Sequence, residues 1–272
     1  MDTMQHLQKS QAAFIVFTLI QIYFFIFDPS MYDHMTHGFE GPPFYAMYRL
    51  IGSKEIGLMS IYFAGVLAND WDVAGMTVIG RLSTLVMFPY MVFFENAPWV
   101  LLLGIIQDVI GALASGYFIL TEKRKPTKYM VTLRPTHSVL PRFMIAMAGV
   151  FEVYFGIEIF RNPFARKFAD SPLFGAPKHI NIQLFGYMSL LVGLYQLRIA
   201  LLKEADVLAF LAVAFHHLNF YLTTKVVVSA AAGEPFYPPN EHLYCGWVVL
   251  ITTLLALLLD RLAVLDDQKK RQ

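Results

Sequence analysis

Cysteine is almost missing from this chain: Cys245 stands alone, which excludes an intrachain disulfide framework and any metal site built on several thiolates. Charge is scarce too, at 15% of 272 residues, and the formal net charge of +1 gives no reason to invoke nucleic acid as a partner. No glycine-rich phosphate loop interrupts the sequence, so no nucleotide or dinucleotide cofactor is expected. What remains is apolar. Hydrophobic residues make up 57% of the chain and fall in blocks, too many and too clustered for a soluble domain of this length.

A hydrocarbon core of about 30 Å needs roughly 20 apolar residues per crossing. Eight blocks meet that length: 11–28, 45–68, 73–94, 97–120, 139–160, 181–202, 205–230 and 243–262. The first runs into Phe27-Asp28-Pro29 without a small-residue cleavage site, and is expected to be a retained helix and not a removed signal peptide. With the N-terminus inside, the cytoplasmic stretches collect Lys123, Arg124, Lys125, Lys128 and Arg134 among others. The opposite side holds only Arg161, Arg166, Lys167 and Lys178, an asymmetry that predicts two cytoplasmic ends.

The two halves echo one another. Phe27-Asp28-Pro29 returns as Arg161-Asn162-Pro163, Leu50-Ile51-Gly52 as Leu184-Phe185-Gly186 and Asp72-Val73 as Asp206-Val207, at a nearly constant offset. Trp99-Val100-Leu101-Leu102 and Trp247-Val248-Val249-Leu250 match at a wider one, which puts extra residues around Gly233 to Asn240. The expected fold is therefore all-α: eight transmembrane helices as two parallel four-helix repeats, 1–120 and 139–272, joined by a basic cytoplasmic linker at 121–138. Each repeat opens with a helix and a long Pro- and Gly-containing loop. In the first of these, Asp28 to Pro43, the residues His34, His37 and Glu40 are spaced as metal ligands could be, but a capping role is expected and no metal is assigned.

Ionisable residues inside the spans are the functional signal, since a charge at bilayer depth is expensive and normally serves a pathway or a reaction. Glu55, Asp108, Glu152, His216 and His217 are the candidate catalytic groups. Asp108 shares its helix with Gly104, Gly111 and Ser115, small residues that permit close packing. Arg81, central in its own span, is expected to neutralise Asp108 or Glu55. Glu152 has no basic neighbour in sequence and would then keep its proton and be able to donate it. His217, Tyr221 and Lys225 recur every four residues, as one face of a helix that would line a cavity. Aromatic residues are abundant, with 24 Phe and 14 Tyr, and Phe151, Tyr154 and Phe155 flank Glu152. Arg81, these three aromatics, Tyr221 and Lys225 are the candidate substrate-binding side chains, because aromatic faces stabilise a passing cation and suit a hydrocarbon chain.

In size and layout, with no soluble domain and with scattered intramembrane acids, the chain resembles the small integral-membrane terpene cyclases of fungal meroterpenoid pathways. That resemblance implies a redox-neutral cyclase or isomerase of the endoplasmic reticulum, acting on an isoprenoid or prenylated aromatic substrate beside other pathway enzymes. It rests on layout and carries no catalytic residue over. Ile182-Gln-Leu-Phe-Gly-Tyr-Met-Ser-Leu-Leu191, Asp206 and Phe215-His-His-Leu-Asn-Phe220 are also similar to the four-helix scaffold family of ergosterol biosynthesis, which implies a scaffold or sterol- and lipid-binding protein without chemistry of its own. A proton-coupled transporter would use parallel repeats and buried acids as well. Against it, Pro89 is the only proline well inside a span, where discontinuous helices would show paired breaks.

Overall fold

The computed structural model describes residues 5–35, 42–123, 135–162, 179–202, 206–229 and 240–271. All regular structure among them is helical: α1 (His6–Phe27), α2 (Pro42–Leu67), α3 (Trp71–Phe94), α4 (Leu101–Thr121), α5 (Val139–Arg161), α6 (His179–Leu201), α7 (Val207–Thr223) and α8 (Asn240–Arg271). A 3-10 turn, Pro29–Tyr32, follows α1, and α7 runs on as a π-helical turn, Thr224–Val228. All eight helices are long and apolar enough to cross a membrane. Their outer surface agrees with that composition: Ile79, Val86 and Phe93 recur every seven residues on α3, each at least 70% exposed.

Local chemistry sets the helix ends. Asp70 caps α3 by accepting from the backbone N–H of Asp72 and Val73, and Asp206 caps α7 by accepting from that of Leu208. The cap of α3 is thus Asp70 and not Asp72, the residue matched to Asp206 in sequence; Asp72 instead accepts from Arg198 at the exposed surface, at 3.0 Å. Asn69 and Asn96, with φ of 47° and 59°, make the tight corners between α2 and α3 and between α3 and α4. The second corner moves the start of α4 to Leu101, four residues later than the hydrophobic block suggests. At the other extreme, α8 extends well past the block at 243–262.

α1 packs on α2 and α4, α3 on α4, α5 on α6 and α8, and α7 on α8, while α2 joins the halves by lying against α6 and α7. The closest of these seams is between α5 and α6. Gly149 and Gly156 face Gly193 and Gly186, so near that a Cβ on Gly156 would stand 2.5 Å from the Leu190 nitrogen and 2.6 Å from the Gly186 carbonyl oxygen. Backbone-to-backbone contact of this kind is how helices associate where water supplies no driving force. Gly104 and Gly111, which sequence spacing marks for the same use, instead make room for side chains, Phe88 and the Arg81 guanidinium.

Candidate functional site

Two adjacent residues of α2 face different interiors. Successive side chains on a helix diverge by about 100°, and here Lys54 turns into a sealed polar cluster among α5, α6, α7 and α8, while Glu55 turns into a cavity bounded by α1, α3, α4 and α6. The five candidate catalytic groups divide accordingly: Glu152, His216 and His217 in the cluster, Glu55 and Asp108 in the cavity.

In the cluster, Lys54 Nζ donates to both oxygens of Glu152, at 2.6 and 2.7 Å, with both side chains fully buried. The ammonium also lies 4.7 Å from the centre of the Phe220 ring, an arrangement that offsets part of its desolvation. His216 Nε2 is 3.0 Å from Glu152 Oε1. His217 and His242 bring their Nδ1 atoms to 3.0 Å from each other, and Gln196 Oε1 is 3.3 Å from His217 Nε2. Gly57 is required opposite His216, because any Cβ there would overlap the imidazole. Phe151 and Phe155 present themselves edge-on to His242, with centroids 5.2 and 5.7 Å away.

This geometry changes the role read for Glu152. Sequence showed no cation near it; the fold delivers one from 98 positions away, so Glu152 is the acceptor of an ion pair and not an unpartnered proton donor. Lys54, Gln196 and His242 are the members that sequence reasoning missed. Gln196 carries no charge to mark it, and His242 falls in the first turn of its helix, where polar residues are ordinary. Lys54 was visible as a mid-span cation beside Glu55, and the available signal was that adjacent side chains on a helix diverge by about 100°, so that its neighbour could not be its partner by default. Glu152, His217 and His242 place one donor atom each within 4.8 Å of one another, so they are the residues that could hold a metal ion. Such an ion would sit beside a buried ammonium that already engages both carboxylate oxygens, an electrostatic cost that this donor set, with one carboxylate, does little to offset.

The expected stripe below His217 does not continue into an interior. Tyr221 is part-exposed and donates to Asn240 Oδ1 at 3.2 Å, and Lys225 is exposed, its ammonium 5.8 Å from the Tyr221 ring. Residues four apart drift by about 40° around a helix, so the stripe leaves the buried face formed by His216, His217, Phe220 and Thr224: Tyr221 already lies at its edge, before the π-helical turn begins at Thr224, and Lys225 lies beyond it. Tyr154 is 59% exposed on the outer surface of α5. Of the candidate substrate-binding residues, only Arg81 lines the cavity; Phe151, Tyr154, Phe155, Tyr221 and Lys225 do not.

The cavity measures about 480 Å³, within the range of small-molecule sites. Its walls are apolar and aromatic, with Phe14, Phe25, Tyr48 and Tyr62 among them. Glu55, Asp108 and Arg81 are its charged lining residues. Glu55 Oε2 is shut off from solvent and has no hydrogen-bond partner. Arg81 departs from the pairing expected of it: no ion pair within 4.0 Å joins it to Asp108 or Glu55. Its Nη2 donates to Gln11 Oε1 at 3.4 Å, its Nη1 to Ser115 Oγ at 3.5 Å, and its Cζ lies 3.4 Å from the centre of the Phe14 ring. Gln11 is itself fixed by donating to Ser115 Oγ at 2.8 Å. Tyr32 and Met35, from the segment after α1, also line the cavity, and Tyr32 stacks on Phe25 at 4.8 Å. Of the three loop residues with metal-like spacing, His34 is exposed, while His37 and Glu40 lie outside the described residues. Set against models of protein families, curated proteins and solved structures, the chain matches none.

Proposed function

We propose that the chain is a membrane-embedded terpene cyclase or isomerase whose reaction takes place in the cavity between α1, α2, α3, α4 and α6. The observation that carries this reading is Glu55, a carboxyl group with one oxygen buried and unpartnered in an aromatic-walled space large enough for an isoprenoid. A carboxyl in such surroundings holds its proton until a substrate offers a better acceptor. Transferred to an alkene carbon or an epoxide oxygen, that proton generates a carbocation, and the faces of Phe25, Tyr48 and Tyr62 stabilise the positive charge while excluding water. Asp108, the other carboxyl group on the cavity wall, takes up the proton lost from carbon at the end. Substrate and product are isomers, so no redox partner is consumed. The Lys54–Glu152–histidine cluster serves this reaction indirectly, by fixing α2 and with it Glu55.

The finer architecture belongs to the same proposal: two parallel repeats, residues 1–120 and 139–272, with the 121–138 linker and both ends on the cytoplasmic side of the endoplasmic reticulum. Support for the repeat comes from the helix pairing, since α1 meets α2 and α4 as α5 meets α6 and α8, and α3 meets α4 as α7 meets α8. The deciding experiment is Glu55→Gln, which preserves shape and removes the proton. In microsomes supplied with linear and epoxidised prenylated phenols, the parent should form products of unchanged mass, and the variant should lose about 10²- to 10⁴-fold in turnover at normal abundance. A variant that turns over normally would remove Glu55 from the acid's role, and a parent that forms no such product would leave the chain better described as a scaffold or lipid-binding protein.

A further inference from the structure

Arg81 is the single Lys or Arg on the cavity wall among the described residues, and it is under-occupied. A guanidinium offers five N–H donors. Here two of them reach oxygen only at 3.4 and 3.5 Å, beyond the usual 2.7–3.2 Å range, and Nε reaches none. The residue is 3% exposed and lines the cavity. Phe14 covers one face of the group and Gly111 lets it approach α4, so its position is built and not incidental. Asp108 shares the cavity yet leaves Arg81 unpaired. A buried cation held in place with its donors unfilled is complementary to an oxyanion brought in by a ligand, and the planar fork of arginine suits a carboxylate in particular.

The position of Arg81 relative to Glu55 gives that ligand a length. Tyr48, Ile51, Glu55, Leu58, Met59 and Tyr62 all line the cavity, so it runs along one face of α2 for about 20 Å. Arg81 lies at the Tyr62 end, its Cζ 5.8 Å from the centre of that ring, and Glu55 is seven residues back. We infer that the cavity takes an elongated prenyl amphiphile whose oxyanion end docks on Arg81, about 10 Å along the chain from the carbon or epoxide that Glu55 protonates. The inference rests on the proposed reaction for the prenyl character of the chain and on Arg81 alone for its charged end. It makes Arg81 a residue that sets specificity and register: with the head fixed, only one stretch of the tail comes within reach of the acid.

The test is binding by the purified full chain in neutral-lipid nanodiscs to a long-chain prenyl carboxylic acid and to its methyl ester, which keeps the shape and loses the charge. The acid should bind about ten- to a hundredfold more tightly, as expected for hydrogen bonds to a charged group. Arg81→Gln should equalise the two ligands, whereas Glu55→Gln should keep the preference while losing turnover. Equal binding by the parent protein, or a preference that survives Arg81→Gln, overturns the inference; the parent comparison decides even if the arginine variant fails to fold. A straight-chain fatty acid that binds as tightly as the prenyl acid upholds the oxyanion site and overturns the prenyl reading. Intact turnover in Glu55→Gln with the acid preference retained rejects Glu55 as the proton donor and leaves the binding site standing; no turnover by the parent, with the preference retained, rejects the reaction and likewise leaves the site standing.

Discussion

Replacing Lys54 with methionine removes the cation from the Lys54–Glu152 pair while nearly keeping the length of the side chain. Both members have zero side-chain exposure, and the two contacts at 2.6 and 2.7 Å satisfy both carboxylate oxygens. The variant therefore leaves a buried carboxylate facing only His216 at 3.0 Å, with His242 and His217 at 3.5 and 3.8 Å. Breaking one side of such a pair costs about 3–5 kcal/mol, because the remaining charge is stranded. At roughly 2–4 °C per kcal/mol for a large domain, the melting temperature should fall by on the order of 10 °C. Glu152→Gln should cost a comparable amount by stranding the ammonium instead. The informative variant is the double one, Lys54→Met with Glu152→Gln, which strands neither charge and should recover much of the loss. Thermal unfolding of the detergent-solubilised protein, read as a double-mutant cycle, measures the coupling. Additive losses, or a Lys54→Met variant as stable as the parent, would refute the pairing and with it the account of how α2 is held.

Glycosylation acceptor sites placed in the 28–43 loop should be modified and those in the 121–138 stretch should not, as the Lys and Arg asymmetry requires; the reverse pattern would invert the topology. Gly156→Val should destabilise by about 1–3 kcal/mol or more, since its side chain would enter the backbone of α6, and a melting temperature equal to the parent's would show that the α5–α6 seam is looser than described. Asp108→Asn should lower turnover with protein abundance unchanged, whereas losses in Glu152→Gln should follow abundance; if the two variants behave alike in microsomes, the division of labour between cavity and cluster is wrong.

Helix number and approximate extents were legible because apolar blocks of membrane length are a strong signal that tertiary packing does not override. Corners were less so: the block that opens at 97 continues through Pro98 and Trp99, and only the left-handed Asn96 and the bends after it delay α4 to Leu101. The buried ionisable groups could be named but not partnered. An ion pair between residues 98 positions apart depends on how α6 and α7, packed against both α2 and α5, set those two helices, which no local pattern encodes. Arg81 shows the same gap from the other side: two acids were within plausible reach by depth, yet its contacts are to Gln11, Ser115 and Phe14, residues without charge. The Tyr221 and Lys225 stripe failed because a recurrence of four drifts by about 40° per step around a helix of 3.6 residues per turn, and the expected face was treated as straight.

The separation in sequence between Lys54 and Glu152 also dictates an order of events during synthesis. At about 5–20 residues per second, α2 leaves the ribosome roughly 5–20 s before the carboxylate that neutralises it. On insertion into a bilayer, as proposed for this chain, a span with a lysine near its middle would hold a lone ammonium through that interval, at a cost of about 2.5–3.5 kcal/mol. The first four helices therefore reach their final arrangement only once α5 has arrived. A chain truncated after α4 would lack the counter-ion that fixes the rotation of α2, and the wall that carries Glu55 would be the last part of the first half to mature.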